Sequence, residues 1–471
     1  MLSRLTGLRP LAVVATLALA SASLVACSSA SQQVGGVTAS PASCAQLQEA
    51  YGSFPAGTTV RGPPHPVRHT GTPAVPVSTE AASLDASLEH FSQCTGLSVV
   101  QVESDDVAAS LKSDSTQADL AVLPEAGVLP ELVDEGLVQP VPETVGANVE
   151  LGWDRMWSEA GTVDGTLYAA PLTASLDSLV WYSPTAFSRL GYQVPQTWPE
   201  LVALTSQVAQ DHPDGSVTPW CLGLASPDAG EEWLAEAVLQ LSGPVAYDQW
   251  ATGKDSLDSV DADTALGELG SLLLTDGHVP GGRQEAESAT MQDAAAQLRE
   301  GQCLMLHAPS AVEALFPAGS MSDAGASSQP EETAGAAGAG DVLSAFLTPS
   351  GGQDEETAYL VGASMLVSVS GSEAGEAVMA YLTSAQWAQA YAALGTGGTA
   401  HHGVEAAQAG SPVAQQVSQI LQSRQSVLRL EVADVATPER VTALREALTA
   451  WASGQADGAT VLSRAEESSA Q

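Results

Sequence analysis

The chain predicts an α/β fold built as two lobes, and three observations point there. Its 471 residues exceed what one domain usually holds. Between residues 81 and 136, strand and helix patterns alternate, which is the order of a parallel α/β unit. Residues 161–200 then carry the turn, strand and helix-start signals of a segment that passes from one lobe to the other. With 44% hydrophobic residues, the chain can bury sizeable cores.

Thr58-Thr59-Val60-Arg61 is the one strand candidate in a region crowded with prolines. Residues 81–92 place Leu84, Leu88 and Phe91 at helical spacing. Residues 97–102 form a strand, 107–111 start a helix, and 118–123 form a strand of the buried kind. A helix over 128–135 ends at Gly136. In the crossing segment, residues 161–165 make a polar turn. Residues 167–172 are an apolar run closed by proline, and Leu179-Val180-Trp181-Tyr182 is a second strand. Ser183-Pro184 caps a short helix that Gly191 stops. Thr197 caps the next, with Glu200 at the capping-box position. Residues 198–311 are mainly helical, clearest at 234–241 and 265–275, before a strand at 301–306. Residues 318–341 are low in complexity and predict a disordered surface loop. A strand-pair region follows at 358–369, then helices at 373–383 and 386–394, a glycine turn at 395–399, and a helical tail over 438–468. No internal repeat is present.

Residues 1–27 have the form of an export signal. Arg4 and Arg9 precede an apolar stretch over 11–20, and Leu24-Val25-Ala26-Cys27 resembles a bacterial lipobox whose Cys27 is lipidated. Residues 28–42 are rich in Ser, Gly and Ala, as a tether to a membrane-anchored domain would be. This predicts a protein held on the outer face of the cell membrane by lipid, with no other stretch apolar enough to span it. The formal net charge is −40. Losing Arg4 and Arg9 leaves 13 basic against 55 acidic residues, or −42. Such acidity excludes nucleic acid as a partner. It suits a secreted protein that must stay soluble. Cys44, Cys94, Cys221 and Cys303 remain, an even number in an oxidising compartment, and four cysteines allow three pairings. Without a C-x-x-C or histidines at ligand spacing, no metal is expected.

Enzyme motifs are missing. Gly362-Ala-Ser364-Met-Leu366 fails the nucleophile elbow at its last position. Gly253-Lys254 is followed by Asp255, so it is no phosphate-binding loop. His401 and His402 are adjacent, point different ways, and are expected at the surface. No catalytic residues and no cofactor are expected. A secreted enzyme would rest only on abundant carboxylates, which mark no particular pair.

The order of a GTVDG turn, the LVWY strand, the Gly191-Tyr192 helix end and the Val194-Pro-Gln-Thr-Trp198 helix start resembles family 1 extracellular solute-binding proteins. These serve ABC importers, and the resemblance is greatest to the alpha-glucoside-binding lipoproteins. Ala118-Asp119 and Pro124-Glu-Ala-Gly127 match further elements. The resemblance covers roughly residues 81–465. It implies a two-lobed periplasmic-binding-protein-like fold with discontinuous lobes joined by a hinge. Lobe one would hold 58–170 and 360–397; lobe two would hold 171–358 and 398–471. The hinge would lie in the 161–200 stretch and at 358–364. The resemblance also implies the pairs Cys44–Cys94 and Cys221–Cys303. Expected partners are a sugar or oligosaccharide and the permease subunits of an ABC transporter, with the protein acting as a monomer.

A sugar cleft stacks aromatic faces on pyranose rings and offers carboxylates to hydroxyls. By resemblance and position, the candidate ligand residues are Glu125, Asp177, Tyr182, Trp220, Trp233 and His307. Of Trp181 and Tyr182, which alternate on a strand, one is expected in the core and one at the cleft. Trp153, Trp157, Trp198 and Trp451 are expected to pack. The family pattern is eroded elsewhere: 228–230 lacks a tryptophan, 308–310 has no stacking residue, and 436–448 has no aromatic. A second reading keeps the fold but makes the protein a receptor or sensor partner with a degraded cleft.

Overall fold

The structure, a computed structural model, describes residues 42–62, 65–66, 77–100, 103–104, 106–113, 118–322, 342–351, 357–394 and 398–469. The export signal with Cys27, the tether up to residue 41, most of the 318–341 loop and Gly395 to Gly397 lie outside them. Among the described residues, no helix is long and apolar enough to cross a membrane.

Ten strands build the main sheets: β1 (Thr58–Arg61), β2 (Leu97–Val100), β3 (Leu120–Leu123), β4 (Ala169–Leu176), β5 (Leu179–Tyr182), β6 (Thr218–Trp220), β7 (Cys303–His307), β8 (Ser344–Leu347), β9 (Ala358–Ser368) and β10 (Val427–Leu430). β1 and β2 pair in parallel. One four-stranded sheet runs β6-β7-β5-β8. A second is organised on β9, which pairs antiparallel with β3 and β4 and in parallel with β10. The strand-pair region expected at 358–369 is therefore one strand of 11 residues. It takes its partners from three separate parts of the chain. The pairing also places 427–430 in the sheet of β3 and β4.

Strand alternation sorts the cores. Leu120 and Val122 of β3 face one cluster, packed by helices Val77–Thr95 and Glu373–Leu382. Ala121 and Leu123 face another. On β5, Val180 and Tyr182 join the cluster under helices Trp198–Asp211 and Pro227–Ala251, while Leu179 and Trp181 face the opposite side. Apolar groups cover both faces of β5, so both residues of each alternating pair are buried.

Local signals from the sequence appear as physical devices. Asp164 (φ 49°) and Gly165 (φ 79°) turn a two-residue hairpin between Thr162–Val163 and Thr166–Leu167, the backbone such hairpins favour. The Ser183 hydroxyl accepts the Ala186 N–H, and Gly191 ends that helix at φ 80°. Thr197 accepts the Glu200 N–H at 3.3 Å. The Glu200 carboxylate instead takes the N–H of Gln196, at 2.7 Å. It reaches one residue before the cap, so the expected capping box is displaced. The tail is two helices, Pro438–Ala452 and Gly458–Ser469.

Both disulfides form as the resemblance implied. Cys44–Cys94 joins helices Cys44–Tyr51 and Val77–Thr95 across a Cα separation of 4.8 Å. Cys221–Cys303 joins the end of β6 to the start of β7 at 5.3 Å. Trp153, Trp157, Trp198 and Trp451 are buried, as expected of packing residues. His401 is a correction. It is 3% exposed and stands edge-on to Trp153 at 5.7 Å. Gly152 makes room for it, since a Cβ there would stand 2.3 Å from its Nε2. Only His402 reaches outward, 3.3 Å from Asp154 Oδ1. The two rings do point apart; one direction leads into the core.

Candidate functional site

Three connections between the large sheets meet at one place: the turn from β4 to β5, the start of β9, and the exit from β10. The Asp177 N–H donates to Leu360 O at 2.9 Å, and the Leu360 N–H donates to Ser178 Oγ at 2.7 Å. The Glu431 N–H donates to Val361 O at 3.0 Å. Ser178 donates on to Glu236 at 2.7 Å, and Gln240 bridges Glu236 and Ala358 O at 2.9 Å each. Each crossing strand is thus tied to another by backbone hydrogen bonds or through the buried Ser178, Glu236 and Gln240 side chains.

Gly362 lies within this knot. A Cβ there would stand 3.0 Å from Ser175 Oγ, 3.2 Å from Asp177 Oδ2 and 3.6 Å from Glu431 Oε2. Burial pushes the Asp177 carboxyl well above the usual range, and the neighbouring Glu431 charge adds to the rise. Burial raises Glu431 as well. Two buried carboxyls side by side cannot both ionise, so the pair holds a proton. Burial also raises Asp434. Such groups stabilise the fold while protonated, and that stability is lost as pH rises through their elevated values. The melting temperature should therefore fall as pH rises from the ordinary carboxyl range near ~4 into the neutral range. Asp177→Asn should flatten the fall. A melting temperature constant across that range would count against protonated carboxyls in the knot.

Two cavities adjoin along Pro124. The larger, about 350 Å³, is lined by Lys112, Glu125, Glu131, Asp228 and Arg445 among others. The Arg445 guanidinium contacts Glu231 at 2.5 Å and Glu125 at 3.0 Å. Burial would lower its proton affinity, but Glu231 and Glu125 together more than offset this and raise it. Lys112 pairs with Glu131 at 2.6 Å on the same wall. The smaller cavity, about 170 Å³, is lined by Thr173, Ser175, Ser310, Ser364, Thr399, Glu431, Trp387 and Tyr391 among others. The two rings stack, 4.8 Å apart and 24° from parallel. Their i, i+4 spacing on helix Ala385–Ala392 puts them on one face.

The residues singled out from the sequence fall into three groups. Glu125, just after β3, lines the larger cavity. Asp177 lies behind Gly362 beside Glu431, which itself lines the smaller one. Trp220, Trp233 and His307 come together as an internal column. Trp220 packs edge-on to Trp233 at 5.2 Å, Trp233 lies over His307 at 4.4 Å, and His307 Nε2 is 3.8 Å from Glu236. None of the three lines either cavity. Tyr182 packs edge-on between Phe187 and Phe346 in the core, apart from both. Sequence reasoning missed Arg445, Glu431, Trp387 and Tyr391. In a chain with only 15 basic residues, each cation inside a helix was a usable signal; Trp387 and Tyr391 showed theirs in their spacing.

A twofold sheet architecture, knotted at three crossings beside a polar cleft, is that of a two-lobed solute receptor. The profile described as "Bacterial extracellular solute-binding protein" matches residues 88–418, and the chain belongs to that family. It is 31% identical over 227 residues to the osmoprotective compounds-binding protein GgtB of Synechocystis sp. (strain ATCC 27184 / PCC 6803 / Kazusa), covering 46% of this chain and 53% of that protein. Over 249 residues it is 30% identical to the alpha-glucosides-binding periplasmic protein AglE of Rhizobium meliloti (strain 1021), covering 49% and 53%. The chain thus spans about half the length of the curated relatives it matches. Among solved structures, a chitin oligosaccharide binding protein superposes with a TM-score of 0.68 at 15% identity, covering 88% of this chain and 98% of that one. RafE in complex with raffinose gives 0.63 at 16%, covering 87% and 98%. At such identities the likeness concerns the fold, which is the α/β two-lobed one. Membership in a family of solute receptors agrees with the expectation of a non-enzyme.

Proposed function

We propose that the protein captures a sugar between its lobes and delivers it to an ABC importer, acting as a monomer held on the outer face of the cell membrane through a lipidated Cys27. The observation that carries this reading is the smaller cavity. Trp387 and Tyr391, five serine and threonine residues and Glu431 line one space at the junction of the crossing strands. Aromatic faces and charge-assisted acceptors are the two things a pyranose needs. The relatives point the same way, since AglE is an alpha-glucosides-binding protein and RafE was solved with raffinose. In this reading the lobes divide within 161–200, at 358–364 and at Glu431, with 398–430 in lobe one. They close by hinge bending.

Calorimetry against a panel of alpha-glucosides and their oligomers tests the reading. Binding heat is expected for at least one. Trp387→Ala should weaken that sugar tenfold or more, whereas Trp233→Phe, in the internal column, should leave affinity within about twofold. No heat and no thermal shift with any sugar would favour the second reading, a receptor or sensor partner with a degraded cleft. The burial of Tyr182, Trp220, Trp233 and His307 away from the cavities is what motivates it.

A further inference from the structure

Glu125 follows β3 in the β9-centred sheet. Arg445 sits on helix Pro438–Ala452, which packs against helices Pro227–Ala251 and Gly458–Ser469 over the other sheet. The contact between Glu125 and Arg445 therefore joins the two lobes. On the far side of Arg445 is Glu231, 4% exposed and on the same lobe as Arg445. Glu231 holds Arg445 from behind while Glu125 holds it from across the cleft. Nearer the crossings, Asp434 Oδ1 accepts the Ala126 N–H at 2.8 Å. There Gly127 meets the opposite backbone so closely that a Cβ would lie 2.4 Å from Ala436 O. That seam is a close backbone contact across the cleft, and Gly127 and Ala436 share the wall of the larger cavity with Glu125 and Arg445.

We propose that Arg445 is a positioning residue for lobe closure, and that the Glu125–Arg445–Glu231 triad is a latch holding the lobes together before solute arrives. The chemistry favours such a role. The guanidinium is always charged and forks to two acceptors at once. Both of its carboxylate partners are partly or wholly screened from water, where ion pairs keep more of their strength than at an open surface. Solute must enter between lobes that the Glu125–Arg445 contact holds together, so the latch sets how readily the receptor opens. This does not depend on the solute being a sugar.

The test is small-angle X-ray scattering of the purified full-length protein with no sugar added. Wild type is expected to scatter as the compact form. Arg445→Met and Glu125→Ala should each shift to a larger radius of gyration with unchanged circular dichroism. Arg445→Lys, which keeps a cation within reach of Glu125, should recover part of the compaction. Raising salt to ~1 M, where screening acts over about 3 Å, should expand wild type and leave Arg445→Met unchanged. Folded Arg445→Met and Glu125→Ala proteins that scatter like wild type would overturn the latch. If Arg445→Met fails to fold, Glu125→Ala decides alone, because Glu125 is the more exposed partner.

Discussion

Trp220→Ala should lower unfolding free energy by about 3–5 kcal/mol, the range for emptying a large aromatic site in a packed core. Trp220 is fully buried, and its indole N–H donates to Thr205 Oγ1 at 3.0 Å. Truncation therefore opens a void beside Trp233 and removes the indole donor from Thr205, whose hydroxyl still donates to Leu201 O. The affinity of the folded fraction for solute should be unchanged, since Trp220 lines neither cavity. Urea denaturation followed by tryptophan fluorescence measures the first quantity and calorimetry the second. A stable variant that no longer binds would return Trp220 to the cleft.

Replacing Cys221 and Cys303 together with serine should cost roughly 4 kcal/mol. The bond closes a span of 82 residues, and restricting the unfolded chain over such a loop contributes about that much in the chain-entropy picture. The site heightens the effect. Both sulfurs are buried, and β6 and β7 begin their parallel pairing at Thr218 and Cys303, so the serine hydroxyls would enter an apolar layer. Comparing melting curves of wild type, with and without reductant, and of the double variant reads the loss. Coincident curves would show that the strands need no covalent tie.

Much of the frame was legible because its signals are local. The cap at Ser183 and the stop at Gly191 depend on side-chain and backbone chemistry within a few residues, and each stands where the pattern predicted. The alternation in β3 and β5 was equally visible. Its consequence was not. Whether the second face of a strand meets water, a cleft or another core depends on what the rest of the chain lays over it. For Tyr182 that was Phe187 and Phe346, and for Trp220 it was Trp233. His401 and His402 show the same limit, because adjacency fixed that the rings diverge and packing fixed which one is buried.

By itself, the sequence showed an α/β chain of two lobes and where several helices and most of the main strands begin; the receptor role and the cysteine pairs came from the family resemblance. Only the tertiary structure decided which residues meet. Glu125 and Arg445 are 320 positions apart, and Asp177 and Glu431 come from separate crossings, yet these pairs hold the cleft. Propensity and capping act over one or two turns of chain. A cleft is made where distant segments converge, and β9 brings three of them together.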